Sequence, residues 1–79
     1  MKVAIIGLGF VGLSFAVVLG QKNFPVLGID IDQEKILKIK KNIAPFFEPK
    51  LNNYLRNAQK KSLQISDNLD LAVRNCDLI

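Results

Sequence analysis

Apolar residues fall along this chain in short blocks, and their spacing changes at glycines and prolines. Residues 2–6 (Lys-Val-Ala-Ile-Ile) are apolar and rich in β-branched side chains, which predicts a strand buried on both faces of a parallel sheet. Glycines then break the run. Residues 10–22 are apolar nearly all round (Val11, Leu13, Phe15, Ala16, Val17, Val18, Leu19), as expected of a helix packed closely on that sheet. Asn23 can take the left-handed conformation that ends it. Residues 25–29 predict a second strand, with Pro25 at its first position, where no ladder donor is needed, and Asp30 at its end. Asp32 suits the N-cap of a helix over 33–42, in which Ile36, Ile39 and Ile43 recur at helical spacing while the lysines face outward.

Pro45 and Pro49 forbid a regular helix across residues 44–51 and predict a structured loop. Pro49 fits the first turn of a helix reaching about Ala58, with Leu51, Tyr54, Leu55 and Ala58 as its buried stripe. Residues 63–66 alternate apolar and polar like a third, more exposed strand, and Asp67 can cap a short helix over 68–74. Cys76-Asp77-Leu78-Ile79 reads as the first step of a fourth strand. Strand and helix alternating through such short links imply right-handed crossovers and a parallel sheet, hence an α/β fold. With no repeat or linker in its 79 residues, the chain is expected to be one unit cut from a longer protein, its last element incomplete.

Composition narrows the function classes. Apolar residues at 49% against 23% charged describe a folded globular protein and not a disordered one. The net charge of +4 raises the question of nucleic acid, an anionic membrane or a phosphorylated ligand. Lys35, Lys38, Lys40, Lys41, Lys50, Arg56, Lys60 and Lys61 lie on two predicted helices with apolar residues between them, so solvated faces are expected and no nucleic-acid partner. With one cysteine and no histidine, the chain has no internal disulfide, no cysteine-built metal site and no visible catalytic apparatus; a reducing cytoplasm suits it. Cys76 reads as a structural thiol, and Phe46, Phe47 and Tyr54 as packing residues rather than a base-stacking platform. Residues 3–20 are uncharged and long enough to span a membrane, but Gly7, Gly9, Gly12 and Gly20 each weaken a helix by about 1 kcal/mol relative to alanine, so no membrane association is expected.

The chemistry lies in Gly7-Leu8-Gly9-Phe10-Val11-Gly12, a G-x-G-x-x-G pattern between a predicted strand and a predicted helix. Gly7 permits the tight turn, Gly9 lets backbone approach a pyrophosphate, and Gly12 lets the helix pack closely. The N–H groups and dipole of the helix then face the phosphates. Asp30, at the end of the next strand, is the expected acceptor for a ribose 2′-hydroxyl and would repel a 2′-phosphate, which favours NAD over NADP. Lys35, in the first turn of the following helix, reads either as a phosphate contact or as a solvated lysine.

Three stretches together, Gly7 to Leu13, Gly28-Ile29-Asp30-Ile31-Asp32, and Pro45-Phe46-Phe47-Glu48-Pro49-Lys50-Leu51, give the chain a resemblance to the UDP-glucose/GDP-mannose dehydrogenase family. The third stretch discriminates, because many dinucleotide-binding proteins share the first two. The resemblance implies a Rossmann fold, doubly wound, with strand order 3-2-1 and the start of strand 4. It also implies a parent oxidoreductase that oxidises the C6 alcohol of a nucleotide sugar to a carboxylate in two NAD-dependent steps, as in polysaccharide biosynthesis, and that is a homo-oligomer at full length. The catalytic cysteine of such enzymes lies in a later domain, and Cys76 does not match it. The cofactor contacts that carry over are Gly7, Gly9, Phe10, Val11, Gly12, Asp30 and Lys35. Ser14 stands where members often have proline and Lys50 where they usually have glycine.

Two other readings share the glycine pattern: a non-catalytic nucleotide-sensing module, and another NAD-dependent dehydrogenase of hydroxyacid or hydroxyacyl type. The 45–51 loop disfavours both. In the doubly wound order the cofactor crevice lies between strands 1 and 4, so this chain is expected to bind NAD weakly and to associate through the open edge of its first strand.

Overall fold

A computed structural model describes residues 2–45 and 50–76, and Asn75 by its backbone alone. The expectations for Phe46, Phe47, Glu48 and Pro49, and for a strand through 77–79, lie outside these residues. Three strands, β1 (Val3–Ile6), β2 (Val26–Ile29) and β3 (Leu63–Ser66), alternate with helices α1 (Phe10–Gln21), α2 (Gln33–Lys40), α3 (Leu51–Lys61) and α4 (Leu69–Asn75). The strands form one parallel sheet with β2 in the middle, which is the predicted 3-2-1 order. The register sets Val3 beside Val26 beside Leu63, and Ile6 beside Ile29 beside Ser66. All three strands therefore end at one rim of the sheet, and the loops that follow them meet there.

Alternation along the strands sends side chains to two apolar layers. On one face Val26, Leu63 and Ile65 pack with Leu13, Ala16 and Val17 of α1, Ile36 and Ile39 of α2, and Leu51, Leu55 and Ala58 of α3. On the other, Ala4, Leu27 and Ile29 meet Ala72 of α4, with Leu71 and Cys76 against them. Every residue of β2 is buried, as a central parallel strand requires. Cys76 thus stands as a half-buried packing thiol.

The structure adjusts several element ends and faces. Asn23 ends α1 with φ 66°, as expected, and Asn42 does the same after α2 with φ 65°. Asn42 therefore terminates that helix instead of belonging to it, and Ile43, beyond the turn, is 47% exposed rather than buried. Helix α3 runs three residues past the predicted end, to Lys61. Tyr54 is 43% exposed, because one helical step of about 100° from Leu55 carries it off the line of Leu51, Leu55 and Ala58. The cap of α4 is Asn68, whose extended backbone lets its side chain accept from the N–H of Asp70; Asp67 accepts from Gln33 Nε2 at 2.6 Å instead. Helix α1 is apolar all round but buries only the line through Leu13, Ala16, Val17 and Gly20. Phe15, 58% exposed, lies with Leu19 over an apolar groove of about 470 Å³ floored by Val3 to Ile6, and Val18 is exposed as well.

Candidate dinucleotide site

The first bend after β1 follows from backbone chemistry. Gly7 donates its N–H to the Ile29 carbonyl at 2.8 Å, extending the ladder by one residue, and then turns with φ 92°, a conformation that side chains disfavour. Leu8 consequently points inward. It is fully buried, with its methyl groups against Gly28 of β2. Gly9 starts α1 from extended backbone and accepts the Leu13 N–H at 2.9 Å. A Cβ on Gly12 would lie 2.1 Å from the Gly7 carbonyl oxygen, so the helix can sit this close to the bend only without a side chain there.

Gly9 is the opposite case. A Cβ at Gly9 would meet no atom within 4 Å, so the space in front of α1 is open. No side chain caps this helix and its first turn has no acidic residue. The donors and positive dipole end of a helix start are thus presented to that space, a setting suited to an anion. Among the described residues nothing fills this cradle at Gly9.

Asp30 closes the cradle from the next strand. Its Oδ2 accepts the Leu8 N–H at 2.8 Å and lies 3.3 Å from Lys35 Nζ; its Oδ1 accepts the Asp32 N–H at 2.9 Å. Burial alone would raise its pKa, but the hydrogen bonds from Asp32 and Leu8 and the Lys35 ammonium outweigh that and hold the carboxyl below its ordinary value. A carboxylate offers about four acceptor positions and three are taken, which leaves one for a hydroxyl. Lys35, 26% exposed, is paired with Asp30.

Gly7, Gly9, Gly12, Asp30 and Lys35 therefore gather at one rim of the sheet. Phe10 and Val11 flank them on the first turn of α1, 58% and 80% exposed. Two features at this rim were not foreseen. One is Leu8, the unnamed position of the glycine pattern, whose burial aims its own N–H at Asp30; its signal was an apolar residue between two glycines. The other is a cavity of about 230 Å³ beside Asp30, walled by Ile6, Ile29, Ile31 and Leu69 with Asp67 at its mouth. Its walls come from the ends of β1 and β2, the turn after β2 and the start of α4, so no single motif announces it.

Comparison with known proteins decides the family. The sequence model of the UDP-glucose/GDP-mannose dehydrogenase family, NAD binding domain, matches residues 1–79. The chain belongs to this family. UDP-glucose 6-dehydrogenase of Rickettsia conorii is 34% identical over 80 aligned residues, covering 100% of this chain and 18% of that protein. UDP-N-acetyl-D-mannosamine dehydrogenase of Pyrococcus horikoshii is 36% identical over 56 residues, covering 71% of this chain and 13% of the relative. Among solved structures, a ternary complex of GDP-mannose dehydrogenase from Pseudomonas aeruginosa superposes with a TM-score of 0.85 at 32% identity, covering 92% of this chain and 17% of that one. The chain thus spans under a fifth of the length of these dehydrogenases. The fold is that of their Rossmann domain, and the cofactor of this family domain is NAD. Among the described residues no helix is long and apolar enough to cross a membrane, and no group of acidic or sulfur ligands could hold a metal.

Proposed function

We propose that this chain is the N-terminal part of the NAD-binding domain of a nucleotide-sugar 6-dehydrogenase, and that it holds the adenosine and pyrophosphate half of NAD. The observation that carries the reading is the side-chain-free space in front of α1, closed on one side by Asp30. Gly9 and the first turn of α1, with Phe10 and Val11, receive the pyrophosphate. Asp30 offers its remaining acceptor position to the adenosine ribose, with Lys35 beside it. The cavity walled by Ile31 and Leu69 is of a size and polarity to take the adenine.

When bound, NAD supplies a two-electron acceptor for oxidation of a sugar C6 alcohol to a carboxylate. This chain's own contribution is to bind and orient the cofactor. A UDP- or GDP-linked sugar is the expected substrate there, by similarity to the relatives above. A homo-oligomeric parent belongs to the same reading, by resemblance to the family, and the free thiol of Cys76 suits a reducing compartment such as the cytoplasm.

Calorimetric titration with NAD and with NADP tests the reading. NAD is expected to bind in the millimolar range, about −4 kcal/mol, and NADP more weakly. Equal affinity for the two, or no binding of either, would count against it.

A further inference from the structure

From the groove along the outer edge of β3 we infer a docking site for an extended acidic segment of a partner protein, added to the sheet as a further strand. Among the described residues β3 ends the sheet, and β2 engages the backbone of every second residue of it. The Ser62 carbonyl accepts the Val26 N–H at 3.1 Å, and the Ser66 carbonyl accepts the Asp30 N–H at 3.3 Å. In a parallel ladder this turns the N–H and C=O groups of Leu63 and Ile65 to the open side. Beside them runs a groove of about 470 Å³, lined by Lys40 from the end of α2, Lys61 from the end of α3 and the exposed Gln64.

The charge around this edge selects the occupant. The helices run against the strands, so α1, α2 and α3 all end at the rim where the strands begin, and they bring Lys22, Lys40, Lys41, Lys60 and Lys61 to it. The described carboxylates, Asp30, Asp32, Glu34, Asp67 and Asp70, stand after strand ends or in first helical turns, at the opposite rim. Among the described residues the Lys40 ammonium has no carboxylate partner. Lys61 Nζ donates to the Gln21 carbonyl at 3.1 Å and keeps further donors for a carboxylate. With a net charge of +4 and lysines at this edge, a second copy is repelled, in contrast to the apolar edge of β1. A phosphate polymer or a lipid surface would offer acceptors alone. The open backbone of Leu63 and Ile65 presents donors and acceptors in alternation, which an added strand satisfies, while its acidic side chains meet Lys40 and Lys61.

The test is an NMR amide titration of the chain with a short peptide in which glutamate alternates with valine. Beside it run the same peptide with lysine for glutamate, the acidic peptide N-methylated at alternate residues, an oligothymidylate, and vesicles containing phosphatidylserine. The acidic peptide should shift the amides of Leu63 and Ile65, and the lysine peptide should not. N-methylation keeps the charge but removes the strand's donors, and should weaken binding about tenfold. Lys40→Glu should weaken it about fivefold, whereas Lys40→Arg should leave it unchanged. Lys40 is exposed, so both variants are expected to fold, and the dispersion of each spectrum reports this directly. Unmoved Leu63 and Ile65 amides in excess acidic peptide, equal binding of the lysine or N-methylated peptide, or Lys40→Glu equal to wild type would overturn the inference. So would an oligothymidylate or vesicles that perturb the same amides more strongly than the acidic peptide, which would make this edge a surface for anions in general.

Discussion

The Asp30 carboxylate accepts the Leu8 N–H at 2.8 Å across 22 residues of sequence, joining the end of β2 to the middle of the glycine bend. The residue expected to grip the ribose is therefore also the residue that holds the phosphate cradle in shape. On the proposed function, ribose recognition and loop geometry share one side chain, so the site is formed before any cofactor arrives.

This sharing has a pH signature. Because the folded-state pKa of Asp30 lies below its ordinary value of 3.8, the stability it contributes is fully present above that value and is lost as pH falls through the lower, folded one. Urea unfolding of wild type and Asp30→Asn between about pH 6 and 3 should therefore converge: wild type is the more stable near neutrality, and the gap narrows on acidification. A gap constant with pH would show that the carboxylate charge is not what holds the loop.

The glycines should separate by role. Gly12→Ala places a methyl 2.1 Å from the Gly7 carbonyl oxygen and should cost about 3 kcal/mol or more, enough to unfold a chain of this size. Gly9→Ala meets no atom within 4 Å and should change stability by less than about 1 kcal/mol while abolishing NAD binding. Thermal unfolding together with ligand titration distinguishes them; a stable Gly12→Ala would contradict the packing argument.

The caps of α4 make a local test. Asn68→Ala should lose about 1 kcal/mol through its bond to the Asp70 N–H. Asp67→Ala, whose carboxylate binds only an exposed glutamine among the described residues, should cost less than about 0.5 kcal/mol. Denaturant midpoints in the reverse order would assign the cap to Asp67 after all.

The open edge of β1 should make the chain associate. Parallel pairing ties Val3 and Gly7 to β2 and leaves the backbone of Ala4 and Ile6 facing outward, beside the apolar Phe15. Sedimentation should show oligomers growing with concentration, and Ile6→Lys, at a half-exposed position, should shift the population towards monomer. A wild type that stays monomeric would mean that this edge is protected in a way the sheet does not explain.

Much of this was legible in the sequence because it is local. Residues 3–6, 26–29 and 63–66 announce strands by β-branched content or alternation, and the glycine pattern with Asp30 locates the rim on which the site stands. What stayed hidden depends on partners distant in sequence. Lys35 had two readings until the fold brought its ammonium to Asp30. Asp67 and Asn68 compete for one cap, and the contact of Asp67 with Gln33, 34 residues away, helps decide the outcome. The nearly all-round apolar surface of α1 predicted close packing on the sheet but not which side stays open, where the groove along β1 leaves Phe15 exposed.

The most direct test is a ¹⁵N–¹H correlation titration of the protein with NAD. Shifts should concentrate in the amides of residues 7–12 and 30–35, with smaller ones at Asp67 and Leu69, and little change along the outer edge of β3. Shifts centred elsewhere, with the glycine bend and Asp30 unmoved at saturating NAD, would contradict it.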